Sequence, residues 1–488
     1  MRTAYDVDTV RAAEGELMAH LPPGTLMQRA AAGLAAACAD MLGRVYGVRV
    51  VLLVGSGDNG GDALYAGARL ARRGAGVGAV LLNPDRAHPE GLAALLRAGG
   101  RVADDPFEVL AVADLVLDGI TGIGGRGGLR PDAIPLARAA RGSNAVVVAV
   151  DLPSGVDAGT GEVPGEALRA DATVTFGAYK PGLLIDPARE YAGAVRLIPI
   201  GLDLPSVPSV EALQHADVAD LLPTPAAESD KYRRGVVGVV AGSARYPGAA
   251  VLAVAGALRG GAGAVRYVGP GGDAVIARFP ETLVSDGSPA KAGRVQAWVV
   301  GPGLGLGAPL LERSRELGEG PGVDEVLGSD VPVLVDADGL RGLDPDAVRG
   351  RPAATLLTPH AGEAAALLGV PREKVEAERL ASVRELASRY GATVLLKGST
   401  TLVADADGPV RVNPTGTSWL ATAGSGDVLS GLAGSLLAAG LGARDAGSVA
   451  AYLHGLAGRH ASRGAPATAY GVAEAVPGVW RDVAASSG

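Results

Sequence analysis

From Arg49 onward the chain alternates short β-branched runs with longer helix-period stretches: RVVLLV, DALYAGARLARRG, GVGAVLLN, GLAALLRAGG, DLVLDG and AVVVAVD. Parallel strands joined by crossover helices satisfy that alternation. After Ile200 the pattern stops, because LDLPSVPSV and LLPTPAAESD are rich in Pro, Ser and Asp and break both periods. A second βα series starts at VVGVVAG and runs through AWVVGPG, VPVLVDADG, ATLLTPH and ATVLLKG to a long helical C-terminus. The expected architecture is α/β, two tandem three-layer α/β domains at residues 1–210 and 231–488 with a linker region at 211–230. The length of 488 residues agrees, since it exceeds what one hydrophobic core ordinarily serves. The glycine-rich loops of the two halves differ in spacing, so no internal repeat relates them.

Composition narrows the partners. An apolar fraction of 48% with 20% charged residues is that of a soluble globular protein, and 74 glycines without a collagen period imply many tight turns. A net charge of −8 spread along the chain argues against nucleic acid or an anionic membrane, each of which needs a basic face. Cys38 is the single cysteine, so no internal disulfide and no thiolate metal cluster can form, and a reducing cytoplasm is expected. The opening MRTAYDVDTVRAAEGE lacks the basic and apolar regions of a signal peptide. AAAGLAAACADML, interrupted by Asp40, falls short of the roughly 20 residues a membrane span needs and reads as a buried helix.

In VVLLVGSGDNGGDALYAGARL a strand, a glycine turn and a helix follow one another, and Gly55, Gly57 and Gly60 satisfy G-x-G-x-x-G. Taken alone this suggests a dehydrogenase, with Asp85 as the ribose-binding acid. Asp58, Asn59 and Asp62 oppose it: acidic side chains beside a pyrophosphate are unfavourable, whereas their oxygens suit a cation or a hydroxyl. Asp118 after DLVL, and Asp151 with Ser154 in DLPSGVD, add oxygens at two further strand ends. Ligands of open α/β sheets collect at carboxyl ends of strands, so the three loops should meet in one crevice. Singly, each Asp could equally be a helix cap or turn former.

ATAGSGDVLSGLAGSLLAAG is a Gly-Ser-Gly turn opening a long small-residue helix. The N–H groups of Gly424, Ser425 and Gly426 would form an anion hole for a transferring phosphoryl group. Asp427, in the first turn, can accept the proton of an attacking hydroxyl, or be an ordinary first-turn acid. Lys397, Gly398, Ser399, Thr400 and Thr401 after ATVLL, and Asn413, Thr415 and Gly416 in VNPTGT, suit nucleotide phosphates. GPGLG from Gly301 and TPHAGE around His360 would form the acceptor side, although a lone His before Ala-Gly can simply cap a helix.

GSGDNGGD, the stretch DGITGIGGR from Asp118, and DLPSGVD together resemble the NAD(P)H-hydrate epimerase family over residues 1–210. The resemblance implies a Rossmann-like fold. It also implies substrate contact by Asp58, Asn59, Gly60, Gly61 and Asp62, by Gly122, Ile123, Gly124, Gly125, Arg126, Gly127 and Gly128, and by Asp151, with a potassium ion near Asn59, Asp118 and Ser154. Two positions depart from the family pattern, which has Asn at Asp58 and Thr at Ile123. Epimerisation at a hydroxylated ring carbon needs a positioned acid or base, for which Asp151 is the choice. Lys180 in GAYKPGLL reads first as a surface loop cation and second as a candidate for the same role.

From Lys231 on, KYRRG, YPGAA, GPGLG, DADGL, TPHAGE, KGSTT and AGSGD, in that order, resemble the ribokinase-like superfamily and within it the ADP-dependent NAD(P)H-hydrate dehydratases. That implies an AMP-moiety site at Lys397 to Thr401 and Gly426, hydrate contact by Ala249, Gly303, His360 and Asp427, and Mg2+ accompanying the nucleotide. Thr417-Ser418-Trp419 departs from relatives that carry Asn-Pro or Asn-x-Gly. The implied protein is a bifunctional repair enzyme acting on NADHX and NADPHX, with ADP as co-substrate and self-association into a homo-oligomer. The alternative is a vitamin or sugar kinase whose N-terminal half only binds ligand.

Overall fold

The computed structural model describes residues 1–285, 287–305 and 322–487. The chain forms two compact units, one of Thr3–Val210 and one of Met1–Arg2 with Glu211–Gly488. Among the described residues no helix is long and apolar enough to cross a membrane.

In the unit Thr3–Val210 the strands β1 (Arg49–Val54), β2 (Gly76–Leu81), β3 (Arg101–Val102), β4 (Leu115–Gly119), β5 (Val146–Val150), β6 (Ala172–Phe176) and β7 (Ala194–Ile198) form a parallel sheet in the order β3-β2-β1-β4-β5-β6-β7. The pleat explains why the central strands are mostly apolar on both faces. Leu115 and Leu117 of β4 join one core with the helices Thr25–Leu42 and Asp58–Arg72, while Val116 joins a second core with Leu136, Ala137 and Ala140 of the helix Ile134–Gly142. Each fully buried leucine contributes about 1.5–3 kcal/mol, so both helix layers are held by the same short strand. The stretch expected as a buried helix is one. Cys38 lies inside it, and burial pushes its thiol up to about 12, leaving it unreactive.

The second unit repeats the scheme with another topology. Strands β8 (Val236–Val240), β9 (Ala264–Val268), β10 (Leu283–Ser285), β11 (Ala297–Val300), β12 (Val333–Val335), β13 (Thr355–Leu357), β14 (Thr393–Leu396), β15 (Thr401–Ala404) and β16 (Val410–Asn413) lie in the order β16-β15-β14-β13-β12-β11-β8-β9-β10. All pairs are parallel except β14 with β15 and β15 with β16. Val237, Val299, Leu334, Leu356 and Leu395 face one core with the helices Pro247–Arg259, Ser425–Ala438 and Ala443–Ser462. The helix Arg379–Tyr390 covers β14 and β15 on the other face. Two glycines let Pro247–Arg259 and Ser425–Ala438 touch backbone to backbone. A Cβ on Gly256 would lie 2.1 Å from the Val428 carbonyl oxygen, and one on Gly431 1.9 Å from that of Ala253.

Within 211–230, expected as a linker, the helix His215–Leu221 is formed, and Leu213, Val218 and Leu222 enter this unit's core. Its apolar residues are too few and too interrupted by Pro to show a helical period in the sequence.

Candidate active sites

In the unit Thr3–Val210 the strand order reverses between β1 and β4, the point at which such sheets open a crevice beyond their carboxyl ends. A cavity of about 1160 Å³ lies there. Close backbone packing builds its floor: a Cβ on Gly55 would lie 1.9 Å from the Ile120 carbonyl oxygen, and one on Gly60 2.3 Å from that of Gly55. Gly57, with no atom within 4 Å of its own Cβ position, faces open space. The expected substrate contacts line the cavity except Gly60, Gly61 and Gly127. The first two serve packing instead, Gly60 against Gly55 and Gly61 against Met27 and His88, whereas Gly127 is a turn glycine with φ +80°.

Of the three residues expected to hold potassium, Asp118 and Ser154 bind one another, and Asn59 faces the loop at Gly122. Asp118 is fully buried; it accepts the backbone N–H of Ser154 at 2.8 Å and its hydroxyl at 2.6 Å, and Ile120 N–H at 3.3 Å. None of these donors is a cation, and burial pushes the carboxyl up to about 6 against those bonds. Ser154 Oγ also accepts Thr121 N–H at 2.9 Å, and Asn59 Oδ1 lies 2.8 Å from where a Gly122 Cβ would stand. The Asn59 amide Nδ2 is buried and has no hydrogen-bond partner among the described residues.

Asp151 has a left-handed backbone, φ +65°, unusual for a residue with a side chain. Its Oδ1 accepts Lys180 Nζ at 2.5 Å, Thr175 Oγ1 at 2.9 Å and Phe176 N–H at 3.3 Å. Lys180 is not a surface cation: it is 1% exposed and also donates to Thr175 Oγ1 and to the Phe176 carbonyl, both at 3.0 Å. The Gly and Pro around it make a buried turn, and what keeps the ammonium inside is a carboxylate 29 residues earlier. Asp62 is buried with Oδ1 unpartnered. Among the cavity residues that the sequence reading does not name are Arg11 and Glu14 of the helix Val7–Ala19. Arg11 Nη2 lies against Gly124, and burial raises the Glu14 carboxyl. Their signal, charged residues three apart on an otherwise amphipathic helix, is common to any surface helix.

In the second unit the loops after β8, β11, β12, β13 and β14 converge on the start of Ser425–Ala438. Gly424, with φ +89°, turns the chain into that helix; the Ser425 N–H is engaged by the Thr422 carbonyl at 3.3 Å, while those of Gly424 and Gly426 have no intrahelical partner. Lys397 Nζ reaches over the turn, 3.5 Å from a Gly426 Cβ position, and binds Asp336 at 2.7 Å and Glu363 at 3.8 Å. Burial lowers the Lys397 pKa, but Asp336 and Glu363 outweigh it and leave the ammonium raised. Asp336, 1% exposed, is fixed from its other oxygen by Ser430 Oγ at 2.6 Å. Burial first, then the neighbouring Asp336, pushes Asp427 up to about 7, with Lys397 pulling the other way. His454 is buried with its Nε2 lacking a hydrogen-bond partner among the described residues, and burial lowers its pKa to about 4, the Ser425 backbone opposing. Asp336, Glu363 and His454 were not singled out beforehand, although DADGL and TPHAGE carry the first two at strand ends.

On the acceptor side, the Ala249 Cβ would clash with any Cβ on Gly303, at 2.4 Å, and Gly305 N–H binds Asp338 at 2.9 Å, so those loops lock together. His360 is an N-cap: its Nδ1 accepts Glu363 N–H at 3.1 Å while Glu363 accepts His360 N–H at 2.8 Å, and the ring stays exposed. Lys397 to Thr401 is a hairpin turn between β14 and β15 in which Gly398 and Ser399 are exposed and Thr400 and Thr401 buried. Arg379, 6% exposed, clasps it from behind by donating to the carbonyls of Leu396, Lys397 and Thr400. Asn413 and Thr415 are turned away from this role. Asn413 binds the Ala451 carbonyl, and Thr415 Oγ1 bonds both Asn413 Oδ1 and the Tyr452 carbonyl.

Residues 237–474 match a family model described as NAD(P)H-hydrate dehydratase, and residues 23–182 one described as YjeF-related protein N-terminus. The chain is 51% identical over 451 residues to the bifunctional NAD(P)H-hydrate repair enzyme of Mycobacterium tuberculosis, covering 90% of each chain. It is 50% identical over 461 residues to that of Mycobacterium leprae, covering 93% of each. Among solved structures, the ADP/ATP-dependent NAD(P)H-hydrate dehydratase from Bacillus subtilis, co-crystallized with ATP and Mg2+, matches with a TM-score of 0.50 and 29% identity, over 57% of this chain and 99% of its own. The chain belongs to the family of bifunctional NAD(P)H-hydrate repair enzymes.

Proposed function

We propose that the chain restores hydrated nicotinamide cofactor, the unit Glu211–Gly488 dehydrating NADHX or NADPHX with ADP and the unit Thr3–Val210 interconverting the two epimers. The observation that carries this is Asp427, a carboxyl with a pKa of about 7 in the first turn of a helix that opens at Gly424, beside Lys397. A base poised near neutrality is suited to take the proton of a ring hydroxyl as its oxygen attacks the terminal phosphorus of ADP. The N–H groups of Gly424 and Gly426, with Lys397, receive the charge that builds on the phosphoryl group, the Ser425 N–H being engaged by the Thr422 carbonyl. AMP departs, the phosphorylated hydroxyl becomes a good leaving group, and the ring nitrogen expels phosphate to give NADH or NADPH. The turn Lys397 to Thr401 takes the nucleotide, and Ala249, Gly303 and His360 take the hydrate. Among the described residues no three acidic, His or Cys side chains gather into a metal cage, so Mg2+ would be held chiefly by nucleotide phosphates, whose charge it neutralises.

In the other unit Asp151, held by Lys180, is the acid–base group. A potassium ion would be held by Asn59, Asp118 and Ser154, where a fully buried carboxylate lacks a cationic donor and Ser154 and Asn59 bring further oxygens. It would supply a fixed positive charge beside substrate oxygens.

The test is to incubate mixed-epimer NADHX with ADP, ATP or neither and follow reduced-nicotinamide absorbance and AMP release. Full ADP-dependent recovery is expected. Asp427→Asn removes recovery, and Asp151→Asn stops it once the directly used epimer is consumed. No recovery with either nucleotide overturns the proposal in favour of a vitamin or sugar kinase.

A further inference from the structure

Two of the carboxyl groups that line the cavity of the unit Thr3–Val210, Asp62 and Asp151, stand in opposite surroundings. Asp151 is supplied with protons on one oxygen by an ammonium, a hydroxyl and a backbone amide, as a carboxylate requires. Asp62, one turn into the helix Asp58–Arg72, is 8% exposed, and its Oδ1 is buried with no hydrogen-bond partner. A buried carboxyl with so little support is stable as the neutral acid. The charged groups around it reinforce this. Burial, then Asp151, then Asp58 on its own helix and Glu14 from Val7–Ala19, hold its pKa well above the usual range, with Lys180 alone opposing. His88, before the helix Pro89–Arg97, packs on the intervening Gly61. Acids whose surroundings separate their proton affinities divide the acid and base roles between them.

Resting on the epimerase reading, we propose that Asp62 is a catalytic residue, the general acid that works opposite Asp151. Asp62 gives its proton to the ring hydroxyl, and the carbon–oxygen bond breaks with its electron pair on the departing water while the ring nitrogen's lone pair forms a carbon–nitrogen double bond. Water on the opposite face loses a proton to Asp151 as its oxygen bonds the ring carbon, and the π pair returns to nitrogen. The hydroxyl is inverted. The proton now on Asp151 returns to Asp62 through cavity water, so water is the sole co-reactant.

The experiment uses the full chain, separated epimers and no nucleotide, with chromatographic readout. If the wild type does not interconvert them, the epimerase reading fails and this assignment with it. If it does, Asp62→Asn is expected to lower kcat about 100-fold or more. Its KM should change little, the alkaline limb of the kcat–pH profile should vanish, and Asp62→Glu should restore part of both. Unchanged far-UV circular dichroism shows that the variant folds, and unchanged ADP-dependent dehydration by the other unit shows that equal amounts of intact protein are compared. Retention of kcat and of the alkaline limb, or a change in KM alone, overturns the assignment. Should Asp62→Asn not fold, a wild-type profile without an alkaline limb overturns it equally.

Discussion

Replacing Lys180 by Met tests whether the buried pair with Asp151 organises the unit Thr3–Val210. The side chain is 1% exposed and its ammonium makes three hydrogen bonds, to Asp151, Thr175 and the Phe176 carbonyl. Methionine fills most of the space of the lysine stem, so the loss is electrostatic rather than a cavity. It strands the Asp151 carboxylate, whose side chain is only 11% exposed, with one hydroxyl and one long amide bond. Breaking a buried pair from one side costs about 3–5 kcal/mol. The three tryptophans, Trp298, Trp419 and Trp480, all lie in Glu211–Gly488, so tryptophan fluorescence follows that unit alone while far-UV circular dichroism follows both. In a urea titration the dichroism signal should gain an early phase while the fluorescence transition stays in place. Adding Asp151→Asn should recover much of the loss, because neither charge is then buried alone. An early phase displaced by less than about 1 kcal/mol, or a fluorescence transition that moves as far, refutes the reasoning.

Three further outcomes are expected. Asp427→Asn should cost at least about 100-fold in dehydration, and the wild-type rate should rise with pH through about 7 as the base loses its proton. Because the folded-state pKa is raised from 3.8, that proton stabilises the fold at low pH and the stabilisation is lost as pH climbs from 3.8 to about 7. The Asn variant should therefore show a higher urea midpoint by fluorescence in mildly alkaline buffer, a gain that vanishes below the unfolded pKa. Gly60→Ala, with its Cβ 2.3 Å from the Gly55 carbonyl oxygen, should destabilise the unit Thr3–Val210 by about 1–3 kcal/mol by circular dichroism, whereas Gly57→Ala, facing open space, should not. His360→Asn keeps a side chain able to cap Ala361–Leu368 and removes the exposed ring, so it should raise the KM for the hydrate several-fold with little change in urea midpoint.

The sequence displays the central strands because they are apolar on both faces, as Leu115, Val116 and Leu117 show, and it displays the glycine turns because backbone contact leaves no other choice at Gly55 and Gly60. Asp118, Ser154 and Asp151 were legible as strand-end oxygens that the topology must gather. Lys180 was misread because its burial depends on a partner far away in the chain and its neighbours look like an exposed turn. Lys397 was read as a phosphate-binding lysine, yet here its nearest partner is Asp336, 61 residues earlier. Asn413 and Thr415 have the chemistry of phosphate ligands but spend it on the backbone of Ala443–Ser462, which no local pattern announces. Local spacing reveals which groups reach a strand end; which of them bind one another is set by distant segments.

The clasp of Arg379 on the hairpin turn bears on how tightly a nucleotide can be held. A turn that must be ordered as its ligand arrives weakens affinity by about 0.5–1.5 kcal/mol for each flexible side chain immobilised. Here three carbonyls of the turn are already fixed by one guanidinium that is itself hidden behind the hairpin, so the ordering entropy is lost when the protein folds rather than when the ligand binds. If the turn takes the nucleotide as proposed, affinity at its front would be governed from its back, by the buried Arg379.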